Sequence, residues 1–152
     1  MGIFSKPKKT EYAIPSDEEI NGLIAKFLPL LDGLVETVVN GSVYRPDDFL
    51  EDFKELVYFG AKRQDDQLLD WTIKSAQLVY FTTNGEASIE DVAKLHFWTF
   101  SDSMELRKKY RDQTNLNDRI VRLGVGSFNI SEMNASHKDH LEWLSQNADK
   151  LN

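Results

Sequence analysis

Apolar side chains recur along most of this chain at the three- and four-residue spacing of a helix face. Ile20, Leu23, Ile24, Phe27, Leu28, Leu31, Leu34, Val35 and Val38 make the first run. Ser16-Asp17-Glu18-Glu19 stands before it and has the form of a capping box, with acids where the helix dipole favours them. Pro29 lies inside the run and predicts a kink or split, because proline has no amide proton and crowds the preceding turn. Asn40-Gly41 predicts the stop.

The second run opens near Pro46–Asp48 and carries Phe49, Leu50, Phe53, Leu56 and Val57, with Gly60 loosening its end. Asp65 or Asp66 caps a third, which bears Leu68, Leu69, Ile73, Ala76 and Val79 or Tyr80 and closes at Asn84-Gly85. Ser88-Ile89-Glu90-Asp91 opens a fourth, reaching about Arg111. Beyond a polar turn, Asp118 caps a short helix, Arg119–Leu123, which Gly124-Val125-Gly126 ends. Residues 127–135 read as irregular, and Ser136-His137-Lys138-Asp139 opens a last helix with Leu141 and Leu144. Thr37–Tyr44 is rich in β-branched residues, but Gly41 and the lack of a second matching strand argue against a sheet.

The expected fold is therefore all-α. It is a single-domain bundle of about five helices over 16–152, with a kinked first helix. A flexible, basic N-terminal arm over 1–15 precedes it, irregular because of Pro7 and Pro15. At 152 residues such a domain buries roughly 68–70% of its unfolded surface and needs no disulfide or metal to hold a core.

Composition narrows the chemistry. The chain has no cysteine, which removes a disulfide scaffold, a thiolate nucleophile and a thiolate-bound metal. A net charge of -7 argues against the surface as a whole binding nucleic acid. No secretory signal and no membrane-length apolar run are visible, so a cytoplasmic protein is expected. Gly124-Val125-Gly126-Ser127 lacks the Gly-Lys-Ser/Thr ending of a phosphate loop. No cofactor is expected.

Three histidines remain. His137 and His140 are spaced to share a helix face, and His96 could add a third nitrogen to a metal site. That gives one alternative function, a metal-dependent hydrolase. Neither Glu-x-x-His nor His-Glu-x-x-His is present, and a hydrogen-bonded boundary histidine is the plainer reading of His96.

Charge is segregated. Asp48, Glu51, Asp52 and Glu55 fall at i, i+3, i+4 and i+7 on one face of the second helix, where like charges repel. Such a stripe suits a basic partner. Arg107, Lys108, Lys109, Arg111, Arg119 and Arg122 form a basic stretch, explained in part by the carbonyl end of a helix. An internal salt link from it to the acidic helix is one further use. Contact with RNA through Arg107–Arg122, or with a membrane through Lys6–Lys9 beside Ile3 and Phe4, is a second alternative function.

Aromatics are crowded between Trp71 and Phe100. Leu95, Phe97, Trp98 and Phe100 cannot all face one core, so some should lie on a partner surface or a homo-oligomer contact. The function expected is a non-enzymatic protein-binding module: an inhibitor, adaptor, assembly factor or immunity-like protein. Its contact residues would be Asp48, Glu51, Asp52, Glu55, Trp71 and Trp98.

Overall fold

A computed structural model describes residues 14–32, 34–84, 88–134 and 146–147. Most of the expected N-terminal arm, and the segment holding His137 and His140, lie outside the described residues. The described residues carry five α-helices and one two-stranded hairpin. All-α describes the architecture.

Helix α1 (Asp17–Phe27) begins as its sequence dictates. Ser16 accepts from the Glu19 amide, and Glu19 returns the bond to the Ser16 amide. Pro29 ends rather than kinks it. A 3₁₀ turn follows at Leu28–Leu31, and the expected helical continuation to Val38 does not form. Strands β1 (Thr37–Val39) and β2 (Ser42–Tyr44) pair antiparallel instead, with Thr37 opposite Tyr44. The turn between them is Asn40-Gly41, both at positive φ (52° and 81°). That is the conformation a two-residue hairpin requires and the one Asn-Gly favours. The expectation of no sheet is corrected here: the signal is a hairpin turn, and the matching strand is only three residues long.

Helix α2 (Pro46–Lys62) has proline in its first turn, where no amide partner is lost. Gly60 sits inside it and does not loosen it. A Cβ there would come within 3.1–3.2 Å of Leu69 backbone atoms, so the glycine lets α3 approach. Helix α3 (Asp66–Asn84) is capped by Asp65, whose carboxylate accepts the Leu68 amide. Helix α4 (Ile89–Lys109) is capped by Ser88.

Helix α5 (Thr114–Asn134) departs furthest from expectation. It starts before Asp118 and runs unbroken through Gly124, Gly126 and residues 127–134, where irregular backbone is expected from the sequence. Both glycines face large rings. A Cβ on Gly124 would lie 3.3 Å from the Trp71 indole, and one on Gly126 would lie 2.5 Å from the Tyr44 ring. Tertiary packing overrides local propensity at both.

The core is built from all of these elements. Phe49, Phe53, Leu56 and Val57 of α2 meet Leu68, Trp71 and Val79 of α3, Leu106 of α4, and Ile120, Leu123 and Ile130 of α5. Ile20 and Ile24 of α1 and Tyr44 of β2 complete it. No helix among the described residues is long and apolar enough to cross a membrane.

Candidate functional site

The acidic stripe does not survive as one surface. Asp52 is 2% exposed, because it shares the buried side of α2 with Phe49, Phe53 and Leu56. Its carboxylate accepts from Arg119 Nη1 at 2.8 Å, Arg122 Nε at 2.9 Å, Arg122 Nη2 at 3.0 Å and the Tyr44 hydroxyl at 2.7 Å. This is the internal link between acidic helix and basic stretch. Charged bonds of this kind each contribute about 1.5–3 kcal/mol. Glu51 sits above the pair, 3.6 Å from Arg119. Asp48 caps its own helix by accepting the Arg45 amide, and Glu55 lines a shallow groove between α1 and α2. Asp52 is thus removed from the contact set, while Asp48 and Glu51 remain at the surface.

A second carboxylate is held the same way. Asp65 is buried, pairs with Lys109 at 2.7 Å and accepts from the Tyr110 hydroxyl. Burial alone would raise its carboxyl. The bonds from Lys109, Tyr110 and the Leu68 amide outweigh that and hold it below the usual carboxylate range. Burial and the neighbouring carboxylate push the Tyr110 phenol up to about 12. Tyr44 is raised too, by burial first and then by Asp52. Three members of the basic stretch, Lys109, Arg119 and Arg122, are therefore structural.

The aromatic surplus divides. Trp71 is 1% exposed, and its indole N–H donates to the Thr99 carbonyl at 2.9 Å. It ties α3 to α4 as a core residue and leaves the contact set. Trp98 is 43% exposed, with the Lys74 ammonium over its ring at 5.8 Å. Phe100 is 68% exposed. Two residues of α-helix place it about 160° around α4 from Trp98, so the two rings belong to different faces.

The Phe100 face opens onto a pocket of about 200 Å³ between α3, α4 and α5. Trp71, Ser75 and Leu78 supply one wall at i, i+4 and i+7 of α3. His96, Phe100, Ser103, Met104 and Arg107 form one stripe of α4, and Gly124, Val125, Ser127 and Phe128 the wall from α5. Phe100, Met104 and Phe128 are exposed around the mouth. Small residues at the facing positions are what keep the space open.

Three buried side-chain atoms in the described residues lack a hydrogen-bond partner: Ser75 Oγ, Ser127 Oγ and Arg107 Nε. All three belong to residues lining this pocket. Ser75 is 1% and Ser127 2% exposed. An unsatisfied buried polar group costs about 1–3 kcal/mol, and folded proteins keep few of them. Their convergence on one cavity is the pattern of a binding site. The sequence signal was present but faint: Ser127 follows the two glycines, and only the helical course of α5 brings it into one lining with Ser75.

His96 is buried at the far end of the stripe. Its Nε2 is 2.6 Å from Ser131 Oγ, and that hydroxyl donates to the Phe128 carbonyl at 2.8 Å. The hydroxyl proton being so used, the network assigns Nε2 as the donor. Ser131 is fully buried and not among the pocket residues, so this pair fastens α4 to α5. Among the described residues no group of three His, Cys, Asp or Glu side chains comes together as a metal site; His137 and His140 lie outside them.

No protein-family model, curated protein or solved structure matches this chain.

Proposed function

We propose that this chain is a non-enzymatic binding protein whose site is the α3–α4–α5 pocket, and that its occupant is a small molecule with an apolar body. The observation that carries the reading is the convergence of Ser75 Oγ, Ser127 Oγ and Arg107 Nε, each buried and unpartnered, on one largely apolar cavity. Polar groups positioned in an apolar cleft orient a ligand. Among the described residues the lining holds no carboxylate, and its one histidine has Nε2 engaged with Ser131, so no acid–base pair of described residues faces the space.

Chemical-shift mapping with toluene and 1-octanol tests this. Shifts should cluster in residues 71–78, 96–107 and 124–128. They should vanish when Ser127→Leu fills the cavity. Shifts absent, or scattered over the surface and insensitive to that substitution, would reject the pocket as the site.

A second reading keeps a protein partner. Phe100, Met104 and Phe128 are exposed together at the pocket mouth, and aromatic anchors of this kind dominate protein interfaces. Asp48 and Glu51 remain available to steer a basic partner. On this reading Phe100→Ser abolishes partner capture while Glu51→Gln slows it.

A further inference from the structure

Resting on the pocket reading above, we infer that the ligand is an apolar monocarboxylate whose carboxylate is held by Arg107 and whose body lies between Trp71, Met104 and Phe128. Among the described residues Arg107 is the only charged side chain lining the pocket. Its Nε–H is buried without a partner, and a guanidinium donates from a planar fork that matches a carboxylate. Among the described residues no acidic side chain lines the space to repel an anion or to satisfy that donor internally. Asp52 and Asp65, the buried carboxylates nearest the basic stretch in function, are committed to Arg119, Arg122 and Lys109.

The remaining polar atoms fit the same ligand. Ser75 and Ser127 belong to the lining from α3 and α5, and a hydroxyl both donates and accepts. Arg107 and His96 lie eleven residues apart on one stripe of α4, a separation of about 16 Å along the axis. The cation therefore stands at one end, and a wall of Leu78, Phe100 and Phe128 extends from it. A headgroup at one end with an apolar body along the wall is the complement of that layout.

Size sets the class. A dry cavity of ~150 Å³ holds benzene, so about 200 Å³ takes a body of roughly eight heavy atoms, with more chain leaving through the mouth. Medium-chain fatty acids and short aryl-alkanoic acids fall in that range. A dicarboxylate or a phosphate monoester would bring a second charge into an apolar wall with no cation among the described residues to meet it.

The test compares octanoate, 1-octanol and octylammonium on the full chain. Trp71 lines the pocket, so its emission reports binding once Trp98→Phe and Trp143→Phe remove the other indoles. Octanoate should bind at least tenfold more tightly than 1-octanol, and octylammonium should not bind. Arg107→Gln should reduce octanoate to the affinity of 1-octanol and leave 1-octanol unchanged. Arg107→Lys, which keeps charge but not the fork, should fall between. Equal affinity of octanoate and 1-octanol in the parent chain, both lost in Ser127→Leu, would overturn the carboxylate assignment and leave the pocket standing. Failure of all three to perturb Trp71 would overturn both.

Discussion

The Tyr44 ring occupies the place where Gly126 would carry a side chain: a Cβ there would sit 2.5 and 2.6 Å from two ring carbons. The hairpin can dock on α5 only because that position is bare, and the docking brings the Tyr44 hydroxyl to Asp52. Gly126→Ala should therefore destabilise the fold by up to about 2 kcal/mol net, since overpacking of about 1–3 kcal/mol opposes the roughly 1 kcal/mol that alanine gains in a helix. Gly22, in α1, has nothing within 4 Å of such an atom, so Gly22→Ala should stabilise by about 0.5–1 kcal/mol. Urea unfolding of both variants checks the pair. Equal signs would show that the ring moves aside freely.

Asp52 should dominate its helix face energetically. Asp52→Asn weakens the bonds to Arg119 and Arg122 and should lower stability by about 2–3 kcal/mol. Glu51→Gln and Glu55→Gln touch solvated groups and should stay within about 0.5 kcal/mol. Denaturant midpoints decide it. A flat response at all three positions would mean that the buried pair contributes nothing net.

Alkali should loosen the molecule. Tyr110 and Tyr44 are both raised above the ordinary phenol value, so the fold favours the protonated form. Their contribution is complete below about pH 10 and is lost as pH rises through the folded values, about 12 for Tyr110. Asp65 is lowered, so its share is present above about pH 4 and is lost as pH falls through its folded value. Urea midpoints measured from pH 3 to 11.5 should fall at both ends. Tyr44→Phe should flatten the alkaline limb. A midpoint unchanged between pH 9 and 11.5 would contradict the two tyrosine bonds.

Two serines four residues apart should answer oppositely to alanine. Ser131 accepts from His96 and donates to Phe128, so Ser131→Ala should cost about 1–3 kcal/mol. Ser127 Oγ has no partner, and Ser127→Ala should be neutral or stabilising by up to about 1 kcal/mol. A loss above about 1 kcal/mol at Ser127 would show that the hydroxyl is satisfied in solution and is not held ready for a ligand.

These contrasts show what a sequence can and cannot disclose. The starts of α1, α3 and α4 were legible at Ser16, Asp65 and Ser88, and that of α2 at Pro46. A cap satisfies amides within three residues, and a first-turn proline leaves none lost, so each signal is local. The hairpin was legible in principle at Asn40-Gly41 but was masked by its brevity. The course of α5 was not legible, because Gly124 and Gly126 answer to Trp71 and Tyr44, which lie more than fifty residues away. Asp52 gave a partial signal. It stands between the buried positions Phe49 and Phe53, but the pattern of acids around it argued for solvent. The pocket needed all three helices in place before Ser75, Arg107 and Ser127 could be related.

The two glycines within one turn of α5 have a consequence for how the molecule assembles. Each is roughly 1 kcal/mol less favourable than alanine in a helix, and Ile120, Val121, Val125 and Ile130 add β-branched residues to the same stretch. Residues 114–134 are therefore a poor autonomous helix, and a peptide of that span should be mostly coil by circular dichroism in water. The segment becomes helical when the indole and phenol rings of the earlier chain close on it. In refolding, its amides should gain exchange protection after those of α2, as a last wall raised against a finished frame.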